Sequence, residues 1–187
     1  MAYNDRIAEV LRTDSSTGEE YAYRTNAANS VHKGIEAYVE FNLLKCLNAR
    51  SKSGLSIFNS LGYTDAKYTS GEFKGNRVEE ASQIIERVGI IYSVKGLSAT
   101  FQYNYTGDAF GDATNAHVSS NPIAGYIPAY SVLDFSATYK FKNYSFNGGI
   151  NNMLNQAYFT RRTDEYPGPG IIPAVGRSIY VGFTAVF

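Results

Sequence analysis

Four cations stand in long polar stretches of this chain, Lys74 and Arg77 in one, Arg161 and Arg162 in another. A guanidinium presents a planar fork of N–H donors that matches a carboxylate, so such residues suit an anionic ligand; in loops they are also commonly just solvated. Asp108 and Asp112, around Gly111, offer carboxylate oxygens, but their spacing matches no defined Ca²⁺ loop and a solvated loop is the simpler reading. His32 and His117 are far apart, without a partner at metal-ligand spacing, and read as polar loop or strand-end residues. No Ser-His-Asp or Cys-His arrangement has a supporting motif, and no phosphate-cradling glycine loop is present. Cys46 is the single cysteine, which excludes an internal disulfide and a multi-thiolate zinc site within the chain. The sequence therefore nominates no catalytic residue, no metal site and no cofactor.

The composition narrows the surroundings in which these residues work. Across 187 residues, 17 Lys and Arg balance 17 Asp and Glu. Scattered, matched charge argues against a nucleic-acid partner, which calls for a basic excess or patch. No apolar run approaches the roughly 18 to 20 residues of a spanning helix, so any membrane crossing must be made by strands. Sixteen Tyr and eleven Phe with no Trp are a heavy aromatic load, which a soluble Tyr-rich β-domain could also carry. From Met1 the chain passes directly into polar, strand-like sequence, with no basic segment followed by an apolar one of the kind that marks an export signal.

A period of two organises the chain. Ile179, Val181, Phe183, Ala185 and Phe187 alternate with Ser178, Tyr180, Gly182, Thr184 and Val186. Leu133, Phe135, Ala137, Tyr139 and Phe141 share one face while Val132, Asp134, Ser136, Thr138 and Lys140 share the other. The same alternation recurs in Leu97–Tyr105, Ile35–Phe41, Val88–Val94 and Tyr144–Ile150, more weakly in Leu55–Tyr63, where Asn59 interrupts the apolar face, and faintly in Asp5–Arg12 and Glu20–Arg24. The total is about nine strands, near the roughly 9 to 11 residues each that a tilted membrane strand needs.

Connection lengths discriminate better than alternation, which a soluble sandwich also shows. Asn155–Gly176, Asp108–Ala129 and Lys67–Gln83 are long, whereas Lys142–Asn143 and Lys95–Gly96 are tight. Long and short alternate strictly, as in a membrane barrel with short turns on one side and long loops on the other. Upstream the rule weakens: Cys46–Gly54 is of middling length, and Thr25–Ser30 reads as a brief connection on the side that should be long. Val78, Ala81, Ile84, Ile85 and Val88 keep helical spacing behind Glu79 and Glu80, so a short amphipathic helix in an outer loop competes with an early start of the next strand. In the barrel geometry, Tyr63, Tyr105, Tyr130, Tyr139, Phe141, Tyr144 and Phe187 fall near strand ends, where aromatic girdles lie, and Glu36, Glu40, Asp134 and Lys140 face a wet lumen.

A chain that ends on an aromatic, on the apolar face of its last strand, resembles the bacterial outer-membrane β-barrels. The stretch NNMLNQAYFTRR (Asn151–Arg162), followed by YPGPGIIPAVGRSIYVGFTAVF from Tyr166, resembles the last two strands and final outer loop of TonB-dependent receptors, and TNAANSVHKGIEAYVEF (Thr25–Phe41) is similar to another recurrent barrel stretch of that family. The run YFTRRTDEYPGPGIIPA is most similar to ferric-citrate and related siderophore receptors, although Gly-Pro steps are ordinary turn chemistry.

This resemblance carries a set of expectations. It implies an all-β, antiparallel transmembrane barrel segment of about nine C-terminal strands from a barrel of about 22, with residues 1–187 forming one domain. The plug that fills such a barrel is absent from this sequence. The implied function is that of a piece of an energy-coupled outer-membrane receptor for a ferric chelate, not an enzyme. Arg161, Arg162, Lys74 and Arg77 are then the expected ligand contacts, since ferric chelates are commonly anionic, and Tyr180, Phe183 and Phe187 form the terminal signal of the barrel-closing strand. The implied partners are the ferric chelate, the TonB energy-coupling complex through the plug, the barrel assembly machinery through the last strand, and lipid with lipopolysaccharide. A small self-contained outer-membrane barrel of structural or adhesive role, and a soluble Tyr-rich β-domain that binds carbohydrate or protein, are the alternatives.

Overall fold

The dyad repeats assemble into one sheet. The computed structural model describes residues 2–48, 50–163 and 168–187. In chain order it contains β1 (Ala2–Thr13), β2 (Glu20–Asn42), a one-turn helix α1 (Leu43–Leu47), β3 (Ser53–Tyr68), β4 (Ile84–Val94), β5 (Leu97–Thr106), β6 (Ala109–Phe110), β7 (Tyr126–Ile127), β8 (Tyr130–Phe141), β9 (Tyr144–Asn151), β10 (Phe159–Thr163), β11 (Gly170–Pro173) and β12 (Ser178–Ala185). Eight of these form a sheet in the order β1-β2-β3-β4-β5-β8-β9-β12, while β6 with β7 and β10 with β11 are two-stranded ribbons inside long connections. Every pairing in the large sheet is antiparallel. The sheet is a meander whose first and last strands do not pair with each other.

The register turns alternation into two continuous surfaces. Phe41, Ile57, Ile90, Phe101, Phe135, Ile150 and Ile179 lie opposite one another across seven strands. The adjacent row, on the other face, is Glu40, Phe58, Gly89, Gln102 and Asp134. No second layer of the described residues covers the apolar side: Ile35, Ile179 and Val181 are 72%, 71% and 87% exposed. A sandwich interior, which the soluble alternative requires, is therefore not formed. At half the full-burial value of roughly 1.5–3 kcal/mol per side chain, the seven-residue row alone carries about 5–10 kcal/mol of unrealised burial. That is as large as the whole stability margin of a typical domain, about 5–15 kcal/mol, so the face needs an apolar covering.

Turn chemistry sets the tight end. Lys95 and Gly96 both have positive φ, 45° and 86°, as a two-residue type I′ hairpin demands. A Cβ on Gly96 would stand 2.5 Å from the Lys140 carbonyl oxygen, so glycine is required there for space as well as conformation. At the same end, α1 is capped by Asn42, whose side chain accepts from the Lys45 N–H at 2.9 Å.

One expectation needs correction, and one open alternative closes. Glu20–Arg24 and Ile35–Phe41 are not separate strands; Thr25–Ser30 is strand, and β2 runs unbroken through it, so the large sheet has eight strands rather than nine. With that change, the brief connection at the loop end becomes Asp14–Glu19, between β1 and β2. The amphipathic helix over Val78–Val88 does not form: Glu80 takes a left-handed φ of 55°, the Val78 N–H donates to the Ala66 carbonyl, and Ile84 and Ile85 pair with Tyr63 and Gly62 in the sheet. The stretch Asp164, Glu165, Tyr166 and Pro167 of the receptor-like run lies outside the described residues.

Candidate functional site

The long connections, residues 69–83, 107–129 and 152–177, all emerge at one end of the sheet. A small core forms there rather than between layers: Ala28, Ala66 and Tyr68 pack with Phe73, Val78 and Ala113. The Tyr68 hydroxyl donates to Glu79 at 2.6 Å, which satisfies its polar end inside this cluster.

Arg77 joins two of the connections. Its Nη1 lies 2.7 Å from Asp108 Oδ2, Nη2 donates to the Asp108 and Ala81 carbonyls at 2.6 and 3.3 Å, and the guanidinium sits 5.3 Å over the Phe110 ring. Asn115 extends the seam, accepting from the Arg77 N–H at 2.7 Å and donating to its carbonyl at 2.9 Å. Asp112 accepts from the Thr114 and Gly125 N–H groups at 2.8 and 2.9 Å and from the Thr114 hydroxyl. Both candidate calcium ligands are thus occupied in folding the connection, and among the described residues no three His, Cys, Asp or Glu side chains are placed to hold a metal.

Arg162 joins the third connection to the second. Its two terminal nitrogens donate to the Pro122 and Tyr126 carbonyls at 3.0 and 3.3 Å, and its guanidinium lies 5.5 Å over Phe159. Beside it, the exposed His117 ring stacks on Tyr126 at 4.9 Å and meets the edge of Phe110 at 5.4 Å. Tyr158 stacks on Tyr130 at 4.2 Å. Burial, then the neighbouring Tyr130 and Asp134, push the Tyr158 phenol above its ordinary pKa. Arg161 occupies the neighbouring position on β10 and is exposed. Lys74 borders a separate hollow with Val31, Lys33, Asp65 and Lys67. The structure thus brings Arg77 and Arg162 into one stitched loop cluster as cross-links, leaves Arg161 on its surface, and sets Lys74 apart.

The asparagine-rich stretch has a clear structural task. Asn152 and Asn155 take left-handed φ values of 50° and 52°. The Asn152 N–H donates to Asp134 Oδ1 at 2.8 Å, Asp134 Oδ2 accepts from Asn104 at 2.7 Å, and Asn104 accepts from Gln102 at 2.6 Å. Asn155 Oδ1 accepts from the Arg177 N–H at 2.9 Å, which ties the Asn-Leu stretch to the Gly-Arg step opening β12. In β12 itself, Phe183 stacks on Tyr144 and packs at a tilt against Phe146 on the apolar face. Tyr180, on the other face, lies over Gly149, where a Cβ would stand 2.6 Å from its hydroxyl. Phe187 follows the strand and is fully exposed.

Residues 1–153 match a family described as TonB dependent receptor-like, beta-barrel. This chain belongs to that family. The match covers most of this chain, and TonB-dependent receptor barrels are outer-membrane proteins. A comparison with curated proteins gives no match. Among solved structures, the ferric citrate transporter FecA superposes with a TM-score of 0.75 at 22% identity, covering 94% of this chain and 27% of that one. The copper transporter OprC gives 0.72 at 15%, over 100% and 27%. The ferric yersiniabactin uptake receptor FyuA from Yersinia pestis gives 0.67 at 16%, over 88% and 25%. At these identities the likeness speaks to fold alone. The chain spans about a quarter of the length of these structures.

The receptor-barrel fold gives the aromatic rows a scale. From Tyr130 to Phe141, β8 has 12 residues; at about 3.4 Å per step and a tilt near 45° it rises roughly 26 Å, matching the ~25 Å apolar band of such barrels. Tyr63 and Tyr105 lie toward the loop end of that band, while Tyr139, Phe141 and Tyr144 lie toward the tight-turn end. Sequence reasoning noticed Asn59 on the apolar face but missed its partner: Glu86 shares that face, and the Asn59 amide donates to its carboxylate at 2.7 Å. The signal was present, since Glu86 alternates with Val88 and Ile90.

Proposed function

We propose that this chain is the C-terminal wall of an energy-coupled outer-membrane receptor that takes up a ferric chelate of siderophore or ferric-citrate type. The observation that carries this reading is a sheet of eight antiparallel strands with one bare apolar face, a hydrogen-bonded polar face, and all long connections at one end. In this reading lipid covers the apolar face, the assembly machinery reads the Tyr180, Phe183 and Phe187 end, and a plug domain from the rest of the protein couples the barrel to the TonB complex. The polar face, with Asp134, Asn104 and Gln102 linked in one chain of bonds, faces the lumen.

The chelate binds over the loop cluster. Arg161, exposed on β10, and the Arg162 edge beside His117 and Tyr126 provide cationic and aromatic contact to an anionic ligand. Arg77 positions the cluster from beneath. The test is uptake of radiolabelled ferric citrate and ferric siderophores by cells whose sole receptor is the complete protein. The reading expects TonB-dependent uptake of at least one ferric chelate and a loss of about tenfold or more in affinity for Arg161→Ala, the scale of a charged hydrogen bond. Uptake of no ferric chelate, or uptake indifferent to TonB, overturns it.

A further inference from the structure

The apolar face continues past the aromatic row into a basic one. Above Ile35 and Tyr63, β2 and β3 keep their register without a bulge, so Lys33 stands opposite Asp65 and Val31 opposite Lys67 on the same outward side. The turn carrying Lys74 folds back beside them, and Val31, Lys33, Asp65, Lys67, Thr69 and Lys74 border one hollow of about 380 Å³. All three lysines are exposed, and Lys67 Nζ lies 3.0 Å from Asp65 Oδ1. Three ammonium groups against one carboxylate leave the hollow cationic.

Its height is as informative as its charge. Each cross-strand pair on one face is two residues further along, about 7 Å of strand and roughly 5 Å of height at a 45° tilt. Lys33 and Lys67 therefore sit about 5 and 10 Å above the Tyr63 level. A bilayer of about 40–45 Å with a hydrocarbon core of about 30 Å places its headgroups in that layer.

We infer that this hollow binds the phosphate of an outer-leaflet lipid, with Lys33, Lys67 and Lys74 as its ligands. Lipid is the source rather than free anion because the hollow opens on the outward side, directly above apolar residues on which acyl chains lie. Lysine suits a phosphate as a mobile point charge with three donors. Lys74 then serves the membrane rather than the chelate.

The test uses the complete membrane protein in detergent, with a bisphosphorylated glycolipid as probe and native mass spectrometry as readout. Wild type is expected to hold the glycolipid, to bind its dephosphorylated form at least tenfold more weakly, and to keep it in millimolar inorganic phosphate. At about fivefold per lysine near an anionic surface, Lys33→Gln/Lys67→Gln/Lys74→Gln is expected to lose about 100-fold, and Asp65→Asn to bind more tightly. Heat-modifiable gel mobility verifies that each variant is folded. Equal binding by the folded triple variant, equal binding of dephosphorylated lipid, or displacement by inorganic phosphate overturns the inference. None of these readouts depends on chelate uptake.

Discussion

Replacing Ile90 by arginine places a cation in the middle of the surface assigned to lipid. Ile90 lies in the row between Ile57 and Phe101, about midway between the Tyr63 and Tyr139 levels, and is 47% exposed. An arginine at the midplane of a membrane barrel costs about 2–4 kcal/mol, or roughly a 30- to 700-fold loss in the folded population at about tenfold per 1.4 kcal/mol. Gln102, one strand over and on the opposite face, is the matched control, because an arginine there stays in a polar environment and is expected to change stability by about 0.5 kcal/mol or less. Urea titrations of the complete protein in phospholipid vesicles, followed by heat-modifiable mobility, read both variants on one scale. The reasoning fails if Ile90→Arg and Gln102→Arg cost the same, or if Ile90→Arg is neutral.

Other consequences are more local. Arg77→Gln removes the link between two loops and leaves Asp108 without its ion pair; we expect about 1–3 kcal/mol of lost loop stability and faster protease cleavage within residues 107–129, and unchanged cleavage would show that the link is idle. The double change Glu86→Leu and Asn59→Leu, which clears a hydrogen-bonded polar pair from the apolar face, is expected to raise the urea midpoint by the equivalent of about 1 kcal/mol, whereas Glu86→Leu alone gains less because it strands the Asn59 amide. Burial and neighbouring groups raise the Tyr158 phenol, so its contribution is complete below the ordinary phenol pKa and fades as the pH rises through the raised value. Tyr158→Phe should remove that alkaline loosening of the Tyr130 stack, and identical alkaline profiles for both proteins would count against the assignment.

What the sequence disclosed follows from where one face of a strand is apolar. In β5 and β8 every second residue meets the covering medium, so the period of two is clean and the strands are legible from residue types alone. Thr25–Ser30 hides its strand because that part of β2 pairs with β1 beyond the apolar band, where neither face is assigned to hydrocarbon and no alternation is imposed. Polar residues such as Asn26 and Asn29 then read as turn chemistry. The helix-like spacing of Val78 and Ala81 reflects loop packing: Val78 is buried against Ala66 and Tyr68, which a one-dimensional pattern cannot distinguish from a helix face. For the candidate site, the sequence supplied the cations but not their partners. Arg77 finds Asp108 across 31 positions, and Arg162 finds Pro122 across 40, contacts that only the loop arrangement brings together. Lys33 and Lys67 each read as an ordinary strand lysine until the register sets both on one face.

Nitroxide scanning along β5 tests the central claim most directly. With exposed Cys46 replaced by serine, single cysteines from Ala99 to Asn104 carry a spin label in the complete protein in vesicles, and collision rates with oxygen and with a water-soluble nickel chelate are compared. The account predicts that oxygen dominates at Ala99, Phe101 and Tyr103 and the nickel chelate at Thr100, Gln102 and Asn104, in strict alternation. Labels at Phe101 and Tyr103 that see neither reagent, or that see the nickel chelate, would mean that protein or water covers this face in place of hydrocarbon.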